Sequence, residues 1–227
     1  MITKYIKDNS HRSMDSLREY TMFGIEVNVI NPLPDDVDFS AVIEFLQDTI
    51  PEHFVYNIDV VYVGDFDFMK EREINALYRD GAIYISNDQD NEQDMIDDIV
   101  HEIGHALEEN FSEDVYADMG IIEEFVLKRS VFKERLAAHD IDVSDYDFGN
   151  IKFSENFDKF LHHKLGYDMV DTLSTGIFLD PYSITSLREY FASGFETYYL
   201  DNRDRVKDIC PVLYSKIETL SDAGDGN

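Results

Sequence analysis

Hydrophobic and polar positions follow two patterns, and the change between them falls near residue 90. Before it, apolar residues alternate as in half-buried strands, with one interval of helical spacing. The predicted elements are a short helix near 16–20, strands at 23–30 and 56–66, a helix at 38–50 and a hairpin at 75–86. Asp38 is a typical N-cap residue for the helix at 38–50, and the pair Asp80-Gly81 is typical of the turn in the hairpin at 75–86. This part is predicted to form a β-α-β unit followed by an antiparallel hairpin.

After residue 90 the spacing becomes almost wholly helical. The predicted helices are 91–110, 113–138, 154–165, 183–200 and 204–219. A small mixed sheet followed by helices is an α+β arrangement. We expect a single domain over 1–220, with a sheet-containing half (1–90), a mainly helical half (91–220) and a flexible tail at 221–227.

The charge of the chain restricts its partners. Of 227 residues, 48 are acidic and 19 are basic, which gives a formal net charge of −29. Such a surface repels nucleic acid and anionic lipid, so neither a nucleic acid nor a membrane is expected as a partner. A hydrophobic content of 44% is sufficient for a folded core. The acidic surface is either a solvated face or a surface that favours a basic peptide or protein substrate.

The N-terminus and the cysteine content indicate a cytoplasmic protein. The first twenty residues lack the apolar region of a signal peptide, and no apolar run approaches the length needed to span a membrane. Cys210 is the only cysteine, so no internal disulfide can form, which suits a reducing compartment. Association with a virus particle and export by an unusual route remain open.

The segment HEIGH at 101–105 is the strongest chemical signal. His101 and His105 lie one turn apart on one face of the predicted helix, where both imidazoles can reach one ion. Glu102 is placed to take a proton from a water that the ion has made more acidic. The opposite stripe predicts the buried face: Ile96, Ile99, Val100, Ile103 and Leu107. The alternative is a solvated polar face with two histidines by accident. We expect one Zn²⁺ per chain.

Two histidines need a further ligand. The helix does not continue as a third-histidine motif, because positions 108 and 111 are Glu and Phe. A carboxylate from a later helix is the usual solution in a peptidase-type zinc site. Many acidic residues could serve, and composition does not choose among them.

The segment 180–217 narrows this choice. Tyr182 is followed seven residues later by Glu189 and the run Tyr190, Phe191, Ala192, Ser193, Gly194, Phe195. Together with HEIGH, this pattern resembles the lethal-factor-like zinc metallopeptidases, a gluzincin-type family that includes the Pro-Pro endopeptidases. The resemblance implies that Glu189 is the third zinc ligand and that the hydroxyl of Tyr182 assists the reaction. The stretch between His105 and Glu189 is longer than in that family, and Ser193 stands where the family often has Glu. Pro-Pro specificity is therefore not carried over.

Other interpretations of these residues remain open. Ser186 and Glu189 fit a capping box, although the apolar spacing around Leu187 favours a helix that begins before Ser186. Glu196 is the second candidate ligand. His162 and His163 are predicted on a polar helix surface, with contact to metal or substrate as the alternative.

These features together predict a zincin-like zinc endopeptidase of the gluzincin type. The strand at 82–86 is expected to be the edge on which an extended peptide pairs. The competing class is a non-proteolytic zincin-fold protein that has a structural or binding role in a virus particle or a toxin-like assembly.

Overall fold

The computed structural model describes residues 18–35 and 37–223. They form a mixed α+β structure with a small five-stranded sheet and a mostly helical C-terminal half, which confirms the predicted α+β class; the zincin-like fold stays a prediction. The chain divides into two compact units between Ala106 and Leu107. The single domain over 1–220 stays a prediction. Among the described residues, no helix is long and apolar enough to cross a membrane.

The sheet contains parallel and antiparallel neighbours. Its strands are β1 (Arg18–Met22), β2 (Ile25–Val29), β3 (Val60–Gly64), β4 (Ala76–Arg79) and β5 (Ala82–Ser86). Their spatial order is β1-β2-β3-β5-β4. β2, β3 and β5 are parallel, whereas β1 and β4 pair antiparallel at the two edges. The predicted hairpin at 75–86 is confirmed, and its turn has positive φ at Asp80 (50°) and Gly81 (82°), as a type I′ turn requires.

The expectation that the strand at 82–86 forms the edge of the sheet is wrong. β5 pairs with β3 on one side and with β4 on the other, so it is an inner strand. The edge is formed by β4, because the hairpin folds back on its outer side. Alternation along one strand reports which face is buried but not which neighbours the strand has.

The short helix predicted near 16–20 is also not observed. Arg18, Glu19 and Tyr20 belong to β1, whereas positions 16 and 17 lie outside the described residues. β1 pairs with β2 through a turn that has positive φ at Phe23 (53°) and Gly24 (79°). Cross-strand pairing has therefore outweighed the local helical spacing.

The helices of the first unit are α1 (Phe39–Thr49), the short α2 (Asp67–Lys70) and α3 (Glu92–Asn110), which continues past Ala106. Asp38 caps α1 as predicted, since its carboxylate accepts the backbone N–H of Ser40 at 3.0 Å. The predicted inner face of α3 is confirmed, because all five of its apolar residues are buried. The same core contains Val27, Val42, Leu46, Val61, Val63, Ile83 and Ile85.

The second unit is helical. Its helices are α4 (Ser112–Tyr116), α5 (Gly120–Ala138), α6 (Glu155–Lys159) with a π-helical continuation (Phe160–Leu165), α7 (Tyr167–Ser174), α8 (Leu187–Leu200), α9 (Arg203–Ile209) and α10 (Pro211–Ala223). The predicted helix at 113–138 is interrupted at Met119, which has a φ of 61°. The predicted helix at 204–219 is divided before Pro211, and α7 was not predicted. α10 extends three residues into the predicted tail, and 224–227 lie outside the described residues.

α8 lies at the centre of this second core. Tyr190, Phe191 and Phe195 are fully buried along it. Gly194 allows α10 to approach closely, because a Cβ atom at this position would overlap the side chain of Leu213. Ser193 and Ala192 are also buried small residues. Close packing of α8 against α10 therefore accounts for the glycine at position 194 in the run of small residues that follows Glu189.

Candidate metal centre

His101 and His105 occupy successive turns of α3. Their ring centroids are 4.8 Å apart and the rings are nearly perpendicular, at 88°. His105 is buried with 6% of its surface exposed, and His101 is half-buried. This section of α3 is buried on nearly every side, so the polar side chains at 101, 102 and 105 do not form a solvated face. The accidental polar-face interpretation therefore does not describe them.

Glu102 lies between the two histidines in sequence and is 6% exposed. Its Oε2 accepts a hydrogen bond of 2.5 Å from the backbone N–H of Tyr78. Tyr78 belongs to β4, the edge strand next to β5. A buried carboxylate is costly unless it is hydrogen-bonded, and this N–H both compensates the burial and fixes the carboxylate beside the strand.

Glu189 stands in the first turn of α8. Ser186 is the N-cap residue, and its Oγ accepts the backbone N–H of Glu189 at 3.2 Å. The prediction that this helix begins before Ser186 is wrong, because Ser186 has extended backbone angles (φ −157°, ψ 165°). The residue whose backbone N–H is capped by Ser186 is thus also the proposed ligand. A carboxylate in the first turn is also favoured by the helix dipole.

His101, His105 and Glu189 form a group that is close enough to hold one metal ion; we call it the metal centre. One ligand atom of each residue lies within 4.8 Å of the ligand atoms of the other two. In a tetrahedral zinc site the ligand atoms are roughly 3.4 Å apart, so the separations within this group are of the order that one ion requires. Two imidazole nitrogens and one carboxylate oxygen are a donor set that suits catalytic zinc.

No protein-family model, curated protein or solved structure matches this chain. The chemistry of the metal centre is therefore argued from its own donor atoms and their surroundings.

The other candidate ligands lie outside the metal centre. Within the described part of the chain, the group of potential ligands around His101 and His105 does not include Glu196. His162 lies on the π-helical turn, where its Nε2 is 3.1 Å from the carboxylate of Asp158 and its ring stacks on Tyr167. His163 is exposed beside it. Both histidines occupy a polar helix surface, in agreement with the first of the two interpretations made from the sequence.

Tyr182 begins a short 3₁₀ turn, Tyr182–Ile184, and 41% of its surface is exposed. Although the predicted helix at 183–200 would begin next to Tyr182, the extended backbone at Ser186 separates its turn from α8, so Tyr182 and Glu189 do not share one helical face. The role of the hydroxyl stays a prediction that depends on the family resemblance.

Glu124 on α5 fixes the position of α8, and sequence reasoning missed it. Its carboxylate accepts hydrogen bonds from the hydroxyl of Tyr190 (2.8 Å) and from the backbone N–H groups of Val212 (2.9 Å) and Leu213 (3.1 Å). Tyr190 directly follows the candidate ligand Glu189. No pattern in the sequence indicates such a contact, since it joins residues that are far apart along the chain.

Arg129 supports the start of the same helix. Its buried guanidinium lies over the ring of Phe157 at 4.1 Å and donates to the carbonyl oxygen of Asn150. The next carbonyl, that of Ile151, accepts the backbone N–H of Leu187 at 2.9 Å. Burial lowers the pKa of Arg129 to about 10, and the charge of Asp147 opposes this shift. A buried cation thereby helps to hold the loop on which the first residue of α8 rests.

Proposed function

We propose that the protein is a zinc-dependent endopeptidase with a zincin-like fold of the gluzincin type. The observation that carries this proposal is the convergence of His101, His105 and Glu189 on one small volume. Glu102, the residue between the two histidines, is buried and hydrogen-bonded beside an edge strand. A mixed sheet followed by an HExxH helix further supports the assignment.

In the proposed reaction, the metal centre holds the ion and Glu102 moves the proton. Zinc supplies Lewis-acid chemistry for hydrolysis of a peptide bond. The carboxylate of Glu102 accepts a proton from the attacking water and passes it to the leaving amine. The hydrogen bond from Tyr78 N–H orients this carboxylate before the substrate arrives, which reduces the reorganisation needed during the reaction.

β4 is the strand on which we propose that the substrate lies. The backbone N–H of Ser86 donates to the carbonyl oxygen of Asn75 at 2.7 Å, so residue 75 faces β5. Antiparallel ladders alternate, and Ala76 and Tyr78 therefore direct their backbone groups away from β5. An extended peptide that pairs with this edge would gain main-chain hydrogen bonds next to Glu102. The acidic character of the chain favours a basic peptide.

The test is chelator-sensitive cleavage of a mixed peptide library by the purified, zinc-loaded protein. We expect cleavage that 1,10-phenanthroline abolishes and added zinc restores. Glu102→Gln should retain zinc and lose several orders of magnitude in turnover, because an amide is not a base. Glu113→Gln, an exposed position on α4, is the matched control. Retained zinc without any cleavage would favour the non-proteolytic structural or binding class instead.

A further inference from the structure

A second feature of the first unit is a cavity of about 510 Å³. It opens where the parallel strands β2, β3 and β5 end, and it is enclosed by the loops that follow them and by the residues before β4. Its volume falls in the range of ligand-binding pockets. The carboxyl ends of parallel strands are also where open sheets usually bind ligands.

The loops around the cavity are fixed to one another. The side-chain oxygen of Asn31 accepts the backbone N–H of Asp65 at 2.9 Å, and the side-chain amide of Asn87 donates to the carbonyl oxygen of Pro32 at 2.8 Å. The backbone N–H of Asn87 also donates to the carbonyl oxygen of Gly64 at 3.2 Å. Three separate loops are thereby linked, so the cavity is formed before any ligand enters.

The charges in the lining favour a cation. The lining contains three acidic residues, Asp65, Glu73 and Asp88, and one basic residue, Lys70, which pairs with Asp65 at 2.5 Å. The hydrogen bond that Lys70 donates to the Asp65 carboxylate is the main cause that raises the pKa of Lys70, and the charges of Asp67 and Asp88 add to it. Apolar surface is contributed by proline rings and by Met69. This mixture suits a side chain with an aliphatic stem and a positive end.

The cavity lies in line with the proposed substrate strand. Residues 73–75 line it and lead directly into β4. A peptide antiparallel to β4 would run from the Arg79 end towards the Ala76 end, so its C-terminal side would approach the cavity. Tyr78, which contacts Glu102, is three residues from Asn75, or about 10 Å along a strand.

We propose that this cavity binds a lysine or arginine side chain of the peptide substrate, three or four residues C-terminal to the bond that is cleaved. The proposal rests on the proposed peptidase function for the position of the substrate. The choice of a basic side chain depends on the acidic and apolar residues that line the cavity.

The first experiment tests the cavity without catalysis. An NMR titration of the labelled protein uses Nα-acetyl-lysine methylamide, with the norleucine analogue as the uncharged control. We expect the lysine probe to shift signals of residues 64–75 and 86–88, and Glu73→Gln combined with Asp88→Asn to remove the shifts. Glu71→Gln combined with Asp90→Asn changes exposed acids outside the lining and should leave them unchanged. Equal shifts with both probes, or shifts elsewhere, would overturn the proposal.

The second experiment tests the position of the side chain. Peptides with lysine or norleucine three or four residues after the cleaved bond are compared as substrates. The double variant at Glu73 and Asp88 should raise KM for the lysine peptide by about fivefold, leave kcat unchanged and not affect the norleucine peptide. Cleavage without any preference for lysine would refute the cavity's role while the peptidase assignment stands. Absence of all cleavage, with lysine still bound in the cavity, would refute the peptidase and retain the basic-side-chain site.

Discussion

The hydroxyl of Ser186 accepts the backbone N–H of Glu189 at 3.2 Å, and this contact caps the first turn of α8, which carries the candidate ligand Glu189. The cap fixes the direction of the first helical turn. The same turn carries the Glu189 carboxylate, so helix initiation and ligand placement depend on one hydroxyl. Ser186 is 2% exposed and thus kept from competition with water.

Replacement of Ser186 by alanine should therefore weaken both the helix and the metal site. We expect Ser186→Ala to lower the free energy of unfolding by about 1 kcal/mol, the usual cost of a lost cap. Zinc affinity should fall by about tenfold, as when a group that orients a ligand is removed. Urea unfolding and a zinc competition titration measure the two effects.

The control for this variant is Asn202→Ala. Asn202 caps α9 by accepting the backbone N–H of Arg205 at 3.1 Å, and α9 supplies no ligand. It should lose stability without losing zinc affinity. Equal zinc losses in both variants would mean that Ser186 acts only through general stability.

The start of α8 at Ser186 shows where prediction from the sequence succeeds and where it fails. Apolar periodicity identified the buried face of α3, and the residue types Asp38 and Asp80-Gly81 identified the cap of α1 and the hairpin turn, because all three features depend on residues close in sequence. The periodicity around Leu187 continued across Ser186, although the backbone there is extended. Burial therefore imposes the same spacing on a short turn and on the helix that follows it.

Other features depended on tertiary neighbours. The edge position of β4 follows from pairing of β5 with β3, which no local pattern encodes. The predicted helix at 113–138 is broken at Met119, whose backbone is left-handed, although the helical spacing of apolar residues continues through this position. Glu124 acts through partners at 190, 212 and 213. The HExxH motif was visible from the sequence because two histidines can reach one ion from a helix only at a fixed local spacing, whereas Glu189 was identified through a resemblance.

Loss of any one donor of the metal centre should release zinc. We expect His101→Ala, His105→Ala and Glu189→Ala each to lose most of the metal, because two remaining ligands bind weakly. Glu196→Ala, on the same helix as Glu189, should keep about one zinc per chain. Elemental analysis after dialysis measures the content. Zinc retained in Glu189→Ala but lost in Glu196→Ala would move the third ligand along α8.

Proline substitutions can distinguish the backbone N–H groups of β4 that face away from β5 from those that bond to β5. Ala76 directs its N–H away from β5, so Ala76→Pro should remove a donor to the substrate and preserve the sheet. We expect a higher KM with little change in melting temperature. Leu77→Pro is the matched comparison, since residue 77 faces β5 and loss of its N–H should destabilise the hairpin. A peptidase with unchanged KM in Ala76→Pro would argue against substrate pairing at this edge.

Cys210 gives a prediction for alkaline pH. Burial is the main cause that raises the pKa of its thiol from the ordinary value of 9.0 to about 11. Between these values the unfolded chain has lost the proton and the folded chain has kept it, so the free energy of unfolding falls as pH rises from 9 to 11. The thiol should account for about 1 kcal/mol of the fall between pH 8 and pH 10.

Urea unfolding of the metal-free protein at pH 8, 9 and 10 measures this dependence, with Cys210→Ala as the comparison. The variant should lose stability less steeply with pH. Some fall should remain, because burial also raises the pKa of Tyr199, to about 12, and that of Tyr190. Parallel curves for the two proteins would show that the thiol titrates alike in the folded and unfolded states.

Tyr182 provides the most demanding prediction, because its assigned role depends on a resemblance rather than on a helical face. The turn at Tyr182 is held by its neighbours: Asp180 accepts the backbone N–H of Ser183 at 2.8 Å, and Thr185 donates to the carbonyl oxygen of Tyr182 at 2.8 Å. Tyr182→Phe leaves these contacts in place, so folding and zinc content should not change. If the hydroxyl donates to the oxyanion that develops on the attacked carbonyl, kcat should fall by roughly 10²–10³ while KM changes little. Steady-state kinetics on a peptide from the library measures both constants. An unchanged kcat would assign Tyr182 to the surface of the turn, and lost zinc would assign it to support of the metal centre.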